Sequence, residues 1–207
     1  MNDTSTNQTL RYDTDTTTAE QANERHSLQT YVSDMLALER HINAPFSKQR
    51  VDADVAKYPQ VASVVTRLKD ISDNHIGALE SRLKAIGGHE ISPLKSAWAS
   101  LLGAGAAAIG SVRKTRISKN LRDDYTALSL ACVSYTMLHA TATGLGDNMT
   151  AALAERHLSD ITPLIMLIGR AMPAVVLAEL QDDGENVNLD AASKTERVVD
   201  RSWSHQA

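Results

Sequence analysis

Apolar residues recur at three- and four-residue spacing through four long segments of this chain. In the first segment, Val32, Leu36 and Phe46 fall with their apolar neighbours on one side of a helix. This spacing is typical of amphipathic α-helices, because one helical turn takes about 3.6 residues. β-Branched residues seldom alternate with polar ones, and aromatic residues make up only 4% of the 207 residues. The sequence therefore predicts an all-α fold.

Prolines and glycines divide this pattern into four predicted helices. Proline removes a backbone donor and clashes with the preceding turn. Pro45 is therefore expected to kink or end the first helix, and Pro163 and Pro173 are expected to interrupt the fourth. Gly87-Gly88 should stop the second helix, as glycine does at a helix C-terminus. The predicted helices run from about 27 to past 46, with a continuation to 58, from about 59 to 86, from about 119 to 145, and from about 148 to 180.

The connections between these helices indicate how the helices are arranged. Short turns join the first helix to the second and the third to the fourth, so each pair is expected to be antiparallel. Residues 89–118 form a long connection between the second and third helices. Two helices, a long link and two more helices have the connectivity of ferritin-like bundles. We therefore predict a ferritin-like four-helix bundle with a long crossover between the second and third helices.

Both ends of the chain are polar. Residues 1–25 are rich in Thr, Asn, Asp and Gln, and they lack the apolar side chains that offset the entropy lost on ordering. We expect a flexible polar N-terminal arm over 1–25, a ferritin-like helical bundle over 26–180 and a polar C-terminal tail over 181–207. Val198, Val199 and Trp203 could dock part of this tail as a short helix.

Charge and composition argue against several kinds of partner and location. The net charge is −4 and the sequence pI is about 6.0, so no basic block is present to bind nucleic acid. The beginning of the chain is too polar for a signal peptide, and the longest apolar run, residues 97–110, is too short to span a bilayer. Cys132 is the one cysteine and cannot form an internal disulfide. We expect a cytoplasmic protein without nucleic-acid or membrane partners.

Four ionisable side chains lie on the apolar sides of the predicted helices. They are Glu39 in the first helix, His75 in the second, His139 in the third and Glu155 in the fourth. A buried carboxylate costs several kcal/mol unless a cation or ion pair offsets it. Carboxylates and imidazoles that meet in the middle of a bundle would suit Fe, Mn or Zn. These four residues are the candidate metal ligands.

Each candidate ligand also has a plain structural interpretation. Glu39 and Glu155 each precede an arginine and could be solvated, while His75 and His139 could be hydrogen-bonded core residues. His157 lies two residues beyond Glu155, or about 200° around the helix, and is not expected to share its site; His41 stands in the same relation to Glu39. Tyr125 and Tyr135 are interpreted as core residues whose hydroxyls have a partner. The chain contains no Glu-x-x-His, the usual diiron spacing.

Several stretches together resemble the ferritin-like stress proteins of the YciE/YciF type. The resemblance covers about residues 28–175 and depends on LALERHI, NHIGALESRLKAIGG, DYTALSLACVSYTMLHATATGLGD and LAERHLSDITPLI, in that order. It implies a bundle that is often dimeric, with a dimetal centre and a link to stress responses. Glu39, His75 and Glu155 match its metal ligands by position. Ile71 and Ala131 stand where the family has carboxylates, which favours one ion or none over a full diiron centre.

Two functions follow from these observations, and whether the protein is an enzyme stays open. The first is a stress-associated metalloprotein that holds Fe or Mn, or alternatively Zn, and handles iron or peroxide. The second is a non-catalytic bundle that has lost its metal and acts as a homodimeric structural or interaction protein. A third possibility is an apolar ligand pocket lined by methionines. The sequence contains no nucleophile triad or phosphate loop.

Overall fold

The computed structural model describes residues 6–89 and 116–204, with side chains from residue 22 onward. Within these ranges the secondary structure is helical and contains no strand, which confirms the all-α prediction. The helices are α1 (Thr6–Gln49), α2 (Ala53–Ala56), α3 (Pro59–Ala85), α4 (Ile117–Gly144), α5 (Asn148–Asp182) and α6 (Ala191–Ser204).

The four long helices α1, α3, α4 and α5 form a bundle of two helical pairs. Helix α1 packs on α3, and α4 packs on α5; α1 also contacts α4, and α3 also contacts α5. The two pairs thereby enclose one apolar core. Its fully buried members include Val32, Leu36, Leu68, Leu79, Leu121, Leu138, Ile161, Leu164 and Ile168.

Two glycines follow the ends of bundle helices in a left-handed conformation. Gly87 follows α3 with a φ of 72° and Gly146 follows α4 with a φ of 71°, a left-handed conformation that glycine adopts without steric cost. The Nε2 of Gln29 on α1 donates to the carbonyl of Ile86 at 2.8 Å, which ties the end of α3 to α1. Asp147 caps α5 by accepting the Thr150 N–H at 2.9 Å. The predicted stop at Gly87-Gly88 is confirmed.

The prolines do not interrupt their helices. Helix α1 continues through Pro45 to Gln49, and α5 continues through Pro163 and Pro173 to Asp182, so the expected interruption of the fourth helix is wrong. Pro45 and Pro163 are exposed and Pro173 is half-buried. On an exposed face, water can hydrate the carbonyl that loses its N–H donor, which lowers the cost of a proline inside a helix.

The first helix begins earlier than the sequence predicts, and the C-terminal tail contains a helix. Helix α1 begins at Thr6 rather than near Ser27, because its helical backbone extends into the polar segment. In the C-terminal tail, α6 lies against α5, and Arg170 pairs with Asp200 at 3.1 Å. None of the α6 residues is buried. Flexibility of residues 1–25 stays a prediction, and the small-residue crossover over 90–115 lies outside the described residues.

Among the described helices, α5 alone is long and apolar enough by length and composition to cross a membrane. Its most apolar window of 18 residues has a mean hydropathy of 1.9. In the structure this helix is one of the four bundle helices and packs on α3, α4 and α6. Core helices of bundles have the same composition, so the absence of a membrane partner stays a prediction.

Candidate functional site

The buried face of α5 lies one residue away from the face that we expected, and the buried face of α4 differs from the expected one at His139. On α5 the buried residues are Ala154, His157, Ile161 and Leu164 rather than the face that contains Glu155. On α4 they are Leu128, Ala131, Tyr135, Leu138 and Ala142, so Leu138 replaces His139 at the core. This shift decides which polar side chains reach the middle of the bundle.

Glu39 lies at the centre of the bundle and is only 2% exposed. Its carboxylate accepts three hydrogen bonds. Ser72 Oγ donates to Oε2 at 2.9 Å, His75 Nδ1 contacts Oε1 at 2.9 Å, and the Tyr135 hydroxyl donates to Oε1 at 2.7 Å. The donors come from α3 and α4, so the carboxylate on α1 links three helices.

His157 on α5 completes this arrangement. Its Nδ1 is 2.9 Å from the Tyr135 hydroxyl oxygen. The ring of His157 stacks on that of His75, with centroids 3.7 Å apart and planes inclined by 12°. Tyr135 meets both imidazoles edge to face. We call Glu39, Ser72, His75, Tyr135 and His157 the central cluster.

One surface residue touches the central cluster. The Nε2 of His75 lies 3.3 Å from Oδ2 of Asp160, whose side chain is 46% exposed. Hydrogen bonds therefore run from His157 through Tyr135, Glu39 and His75 to a carboxylate at the bundle surface. Every long helix of the bundle contributes at least one residue to this chain of contacts.

The contacts assign the protons of the cluster. The ionised Glu39 carboxylate can only accept, so His75 Nδ1 carries a proton and the Tyr135 hydroxyl donates to Glu39. The Tyr135 oxygen is then free to accept from His157, which places the His157 proton on Nδ1. The second ring nitrogen of His157, Nε2, is left as an acceptor.

The surroundings of the two imidazoles differ. His75 contacts the carboxylates of Glu39 and Asp160, whereas His157 contacts the Tyr135 hydroxyl. Burial lowers the pKa of His157 to about 3, with further lowering by the charges of His75 and Arg156. Burial and the charge of Glu39 raise the pKa of Tyr135 well above its ordinary value. The Glu39–His75 contact therefore lies beside a neutral phenol and a neutral imidazole.

The structure brings together two of the four predicted ligands. Glu39 and His75 are buried and in contact. Glu155 is exposed on α5, and His139 is half-buried on α4, so their predicted positions inside the core are wrong. The difference between the expected and the observed buried faces is the reason. The role of Glu39, His75, Glu155 and His139 as metal ligands stays a prediction.

Sequence reasoning missed His157 as a member of the site. The spacing Ala154, His157, Ile161, Leu164 and Ile168 was an available signal, since it forms a continuous stripe on one side of α5. The interpretation of Tyr135 as a core residue with a hydroxyl partner is confirmed, because it is 0% exposed and bonded to Glu39.

The orientation of the two imidazoles decides whether they can share a metal ion. A ligating nitrogen directs its lone pair within the plane of its ring, and a bound ion lies about 2 Å away. The His75 and His157 planes are stacked 3.7 Å apart at 12°, so they meet only far from either ring. One ion therefore cannot lie on both lone pairs in this arrangement.

The acidic residues also fit a diiron centre poorly. Two divalent ions carry four positive charges, whereas Glu39 is the one carboxylate in the central cluster, and His75 is already bonded to it. Within residues 22–89 and 116–204, no group of three or more His, Cys, Asp or Glu residues is arranged to hold a metal ion. Ser72 stands three residues before His75, and Ala154 three residues before His157, where Glu-x-x-His would supply carboxylates.

The space beside the central cluster is small. A cavity of about 10 Å³ lies between Glu39, Ser72 and His75 and the apolar side chains of Phe46 and Leu128. A volume of this size holds about one water molecule. The cluster has no chamber in this structure for an organic substrate.

Comparison with solved structures identifies the fold. A protein from Xanthomonas campestris pv. campestris matches with a TM-score of 0.63 and 14% identity, covering 79% of this chain and 99% of that one. A bacterioferritin from Desulfovibrio desulfuricans, whose diiron site was studied in different catalytic states, matches with a TM-score of 0.58 and 14% identity. That match covers 84% of this chain and 88% of the bacterioferritin. No family model and no curated protein matches this sequence.

The helix packing and these similarities define a ferritin-like helical bundle. The predicted fold class is thereby confirmed. Identity of 14% supports the fold alone, so the more specific resemblance to the YciE/YciF type stays a prediction. The same holds for a cytoplasmic location, a stress response and a homodimer.

Proposed function

We propose that this protein is a ferritin-like bundle in which the hydrogen-bonded central cluster occupies the place of a dimetal centre. It acts as a structural or interaction protein, as a homodimer, in the cytoplasm. The observation that carries this proposal is the set of hydrogen bonds that Glu39 accepts. Its carboxylate accepts bonds from Ser72, His75 and Tyr135, so its charge and lone pairs are satisfied by the chain itself.

The energetics support this assignment. A buried carboxylate without partners is strongly unfavourable, and removing one partner of a buried pair costs about 3–5 kcal/mol. In a metal centre the ions stabilise the buried carboxylates, whereas Ser72, His75 and Tyr135 hydrogen-bond to Glu39 in this bundle. The ferritin-like arrangement of helices can therefore persist without a metal ion.

Association is the remaining part of the proposal. Val133 and Met137 lie one turn apart on α4 and are 60% and 51% exposed. Apolar side chains on the outside of a helix pair are suited to contact another protein surface. Size-exclusion chromatography with light scattering should give twice the mass of one chain. A monomer at high protein concentration would contradict the dimer.

A single bound metal ion is the second candidate function. Glu39 Oε1 is 2.9 Å from His75 Nδ1 and 2.7 Å from the Tyr135 oxygen, and ligands around one ion at about 2 Å are separated by similar distances. An Fe, Mn or Zn ion held by Glu39, Tyr135 and one imidazole would displace the protons of the cluster. Such a site would be a candidate for iron or peroxide handling.

Metal analysis separates the two functions. The protein is purified without a chelating tag, its metal content is measured, and it is then titrated with Fe²⁺, Mn²⁺ and Zn²⁺. Less than about 0.1 equivalents of metal, with no saturable binding, is expected for the hydrogen-bonded cluster. One equivalent that is lost in Glu39→Gln and kept in Glu155→Gln would refute the metal-free proposal and establish the second candidate. Loss of metal in Glu155→Gln would instead favour the ligand set predicted from sequence.

A further inference from the structure

A second buried acid lies apart from the central cluster. Asp124 on α4 is 3% exposed and stands 11 residues before Tyr135, about 16 Å along the helix. Its Oδ1 accepts a hydrogen bond from Nε2 of Gln49 at 2.9 Å. Its Oδ2 is buried and has no hydrogen-bond partner among the described residues. Most buried carboxylate oxygens are bonded, so this one calls for a physical explanation.

The surroundings of Asp124 favour its uncharged form. Burial raises the pKa of this carboxyl to about 7; the hydrogen bond from Gln49 opposes the rise, and the charge of Asp123 adds to it. An ionised carboxylate would need donors for both oxygens, whereas the neutral acid has a much smaller demand for solvation. The unbonded Oδ2 and the raised pKa of Asp124 therefore both favour the protonated carboxyl.

No described cation pairs with Asp124. Lys48 on α1 and Arg50 directly after it are exposed, and Arg50 lies 3.3 Å from Asp70. On α4, Arg122 is bonded to the exposed Asp123.

The ion-paired cations of the other long helices are bonded to other carboxylates. On α5, which packs along α4, Arg170 is paired with Asp200. On α3, which packs on α1 and α5, Lys69 is paired with Asp73 and Arg82 with Asp147. Ionisation of Asp124 would therefore leave a buried negative charge without a counter-ion.

Gln49 gives this acid a mechanical role. It is the last residue of α1, and the chain turns after it into α2, which buries Val55. We propose that Asp124 is a proton-operated latch: as a neutral acid it keeps the end of α1 closed on α4, and its ionisation favours release of this end together with the segment that follows it. The segment that opens is residues 50–58.

The direction of the switch follows from the solvation of the carboxylate. An opened segment exposes Asp124 to water, where the carboxyl ionises at its ordinary value. Between that value and about pH 7, opening releases the proton that the closed form keeps, so opening becomes more favourable as the pH rises, and it levels off once Asp124 is ionised in both forms. Between pH 6 and pH 8.5 the opening equilibrium should increase about 10-fold, with most of the increase below about pH 7.5.

Hydrogen exchange on the full chain tests the latch. Backbone amides of Arg50, Ala56 and Tyr58 are hydrogen-bonded in this segment and should lose about 10-fold of their protection between pH 6 and pH 8.5, after correction for intrinsic exchange. Amides around Leu79 in the middle of α3 should not show this extra loss. Asp124→Asn should remove the pH dependence, and the exposed neighbour Asp123→Asn, as matched control, should keep it.

Two results would overturn the proposal. The first is an unchanged pH dependence in Asp124→Asn, and the second is an equal loss of protection in all helices, which would indicate global opening. A ¹³C carboxyl titration of Asp124 in the unaltered protein covers the case in which the variant does not fold. Titration near pH 7 supports the latch, whereas titration below pH 5 refutes it.

Discussion

The Tyr135 hydroxyl connects the two halves of the central cluster, and its removal is the most informative perturbation. It donates to Glu39 at 2.7 Å and accepts from His157 at 2.9 Å. Tyr135→Phe keeps the ring, its packing and its edge-to-face contacts with both imidazoles. The substitution therefore removes two hydrogen bonds and almost no volume.

The expected loss of stability follows from these two bonds. A hydrogen bond to a charged group contributes about 1.5–3 kcal/mol, and a buried donor left without an acceptor costs about 1–3 kcal/mol. Glu39 keeps two of its three donors, while His157 Nδ1 loses the acceptor that the contacts give it. Because neighbouring terms are not additive, we expect the free energy of unfolding to fall by about 3 kcal/mol.

Urea unfolding at pH 7, followed by far-UV circular dichroism, measures this change. Tyr125→Phe is the matched control, because Tyr125 is a half-buried tyrosine on the same helix outside the central cluster. The control should lie within about 0.5 kcal/mol of the unaltered protein. The dependence of the free energy on urea should stay constant, since both variants expose the same surface on unfolding.

The stability of the Tyr135→Phe variant can also refute the assignment. A loss below about 0.5 kcal/mol, equal to that of the control, would mean that the hydroxyl contributes nothing net. The hydrogen-bonded cluster would then not be what stabilises the buried Glu39. A second compensating group, such as the single metal ion considered above, would be required.

Three further predictions concern backbone and charge. Gly77→Ala, inside α3 with no atom within 4 Å of the new Cβ, should raise the free energy of unfolding by about 0.5–1 kcal/mol. Gly87→Ala should lower the free energy of unfolding by about 1 kcal/mol, because the φ of 72° at residue 87 is strained for alanine. Equal effects of the two glycine substitutions in urea unfolding would contradict this account. In Asp124→Asn, acidification from pH 6.5 to pH 4 should lower stability by about 3 kcal/mol. His157 stays neutral in the folded state down to about pH 3 but is protonated when unfolded, so folding releases a proton in this range. A flat pH profile for that variant in thermal melts would show that His157 is not neutral in the fold.

The sequence predicted the helices well because each one is defined by local signals. Periodicity, the glycine turn at Gly87 and the short turn before α5 are contained within single segments. The extension of α1 to Thr6 was missed, because those polar residues lack the apolar stripe that marked the other helices. The predicted interruption by Pro163 failed because its exposed position lets water replace the lost hydrogen bond.

The candidate site was predicted on α1 and α3 and misplaced on α4 and α5. Glu39 and His75 lie on narrow, unambiguous apolar stripes. Helix α5 is apolar on several sides, so a stripe through Glu155 and one through His157 fit its sequence almost equally well. Packing against α3 and α4, which a single helix does not encode, selected the second stripe.

His157 and Asp124 affect the proton balance of folding in opposite directions. Between about pH 4 and pH 6.5, folding takes up one proton at Asp124, whose pKa is raised to about 7, and releases one at His157, whose pKa is lowered to about 3. The two slopes, each about 1.4 kcal/mol per pH unit, cancel. The contributions of these two groups to the free energy of unfolding of the unaltered bundle therefore cancel in mild acid. Either group alone would make the stability of the bundle depend on pH in this range.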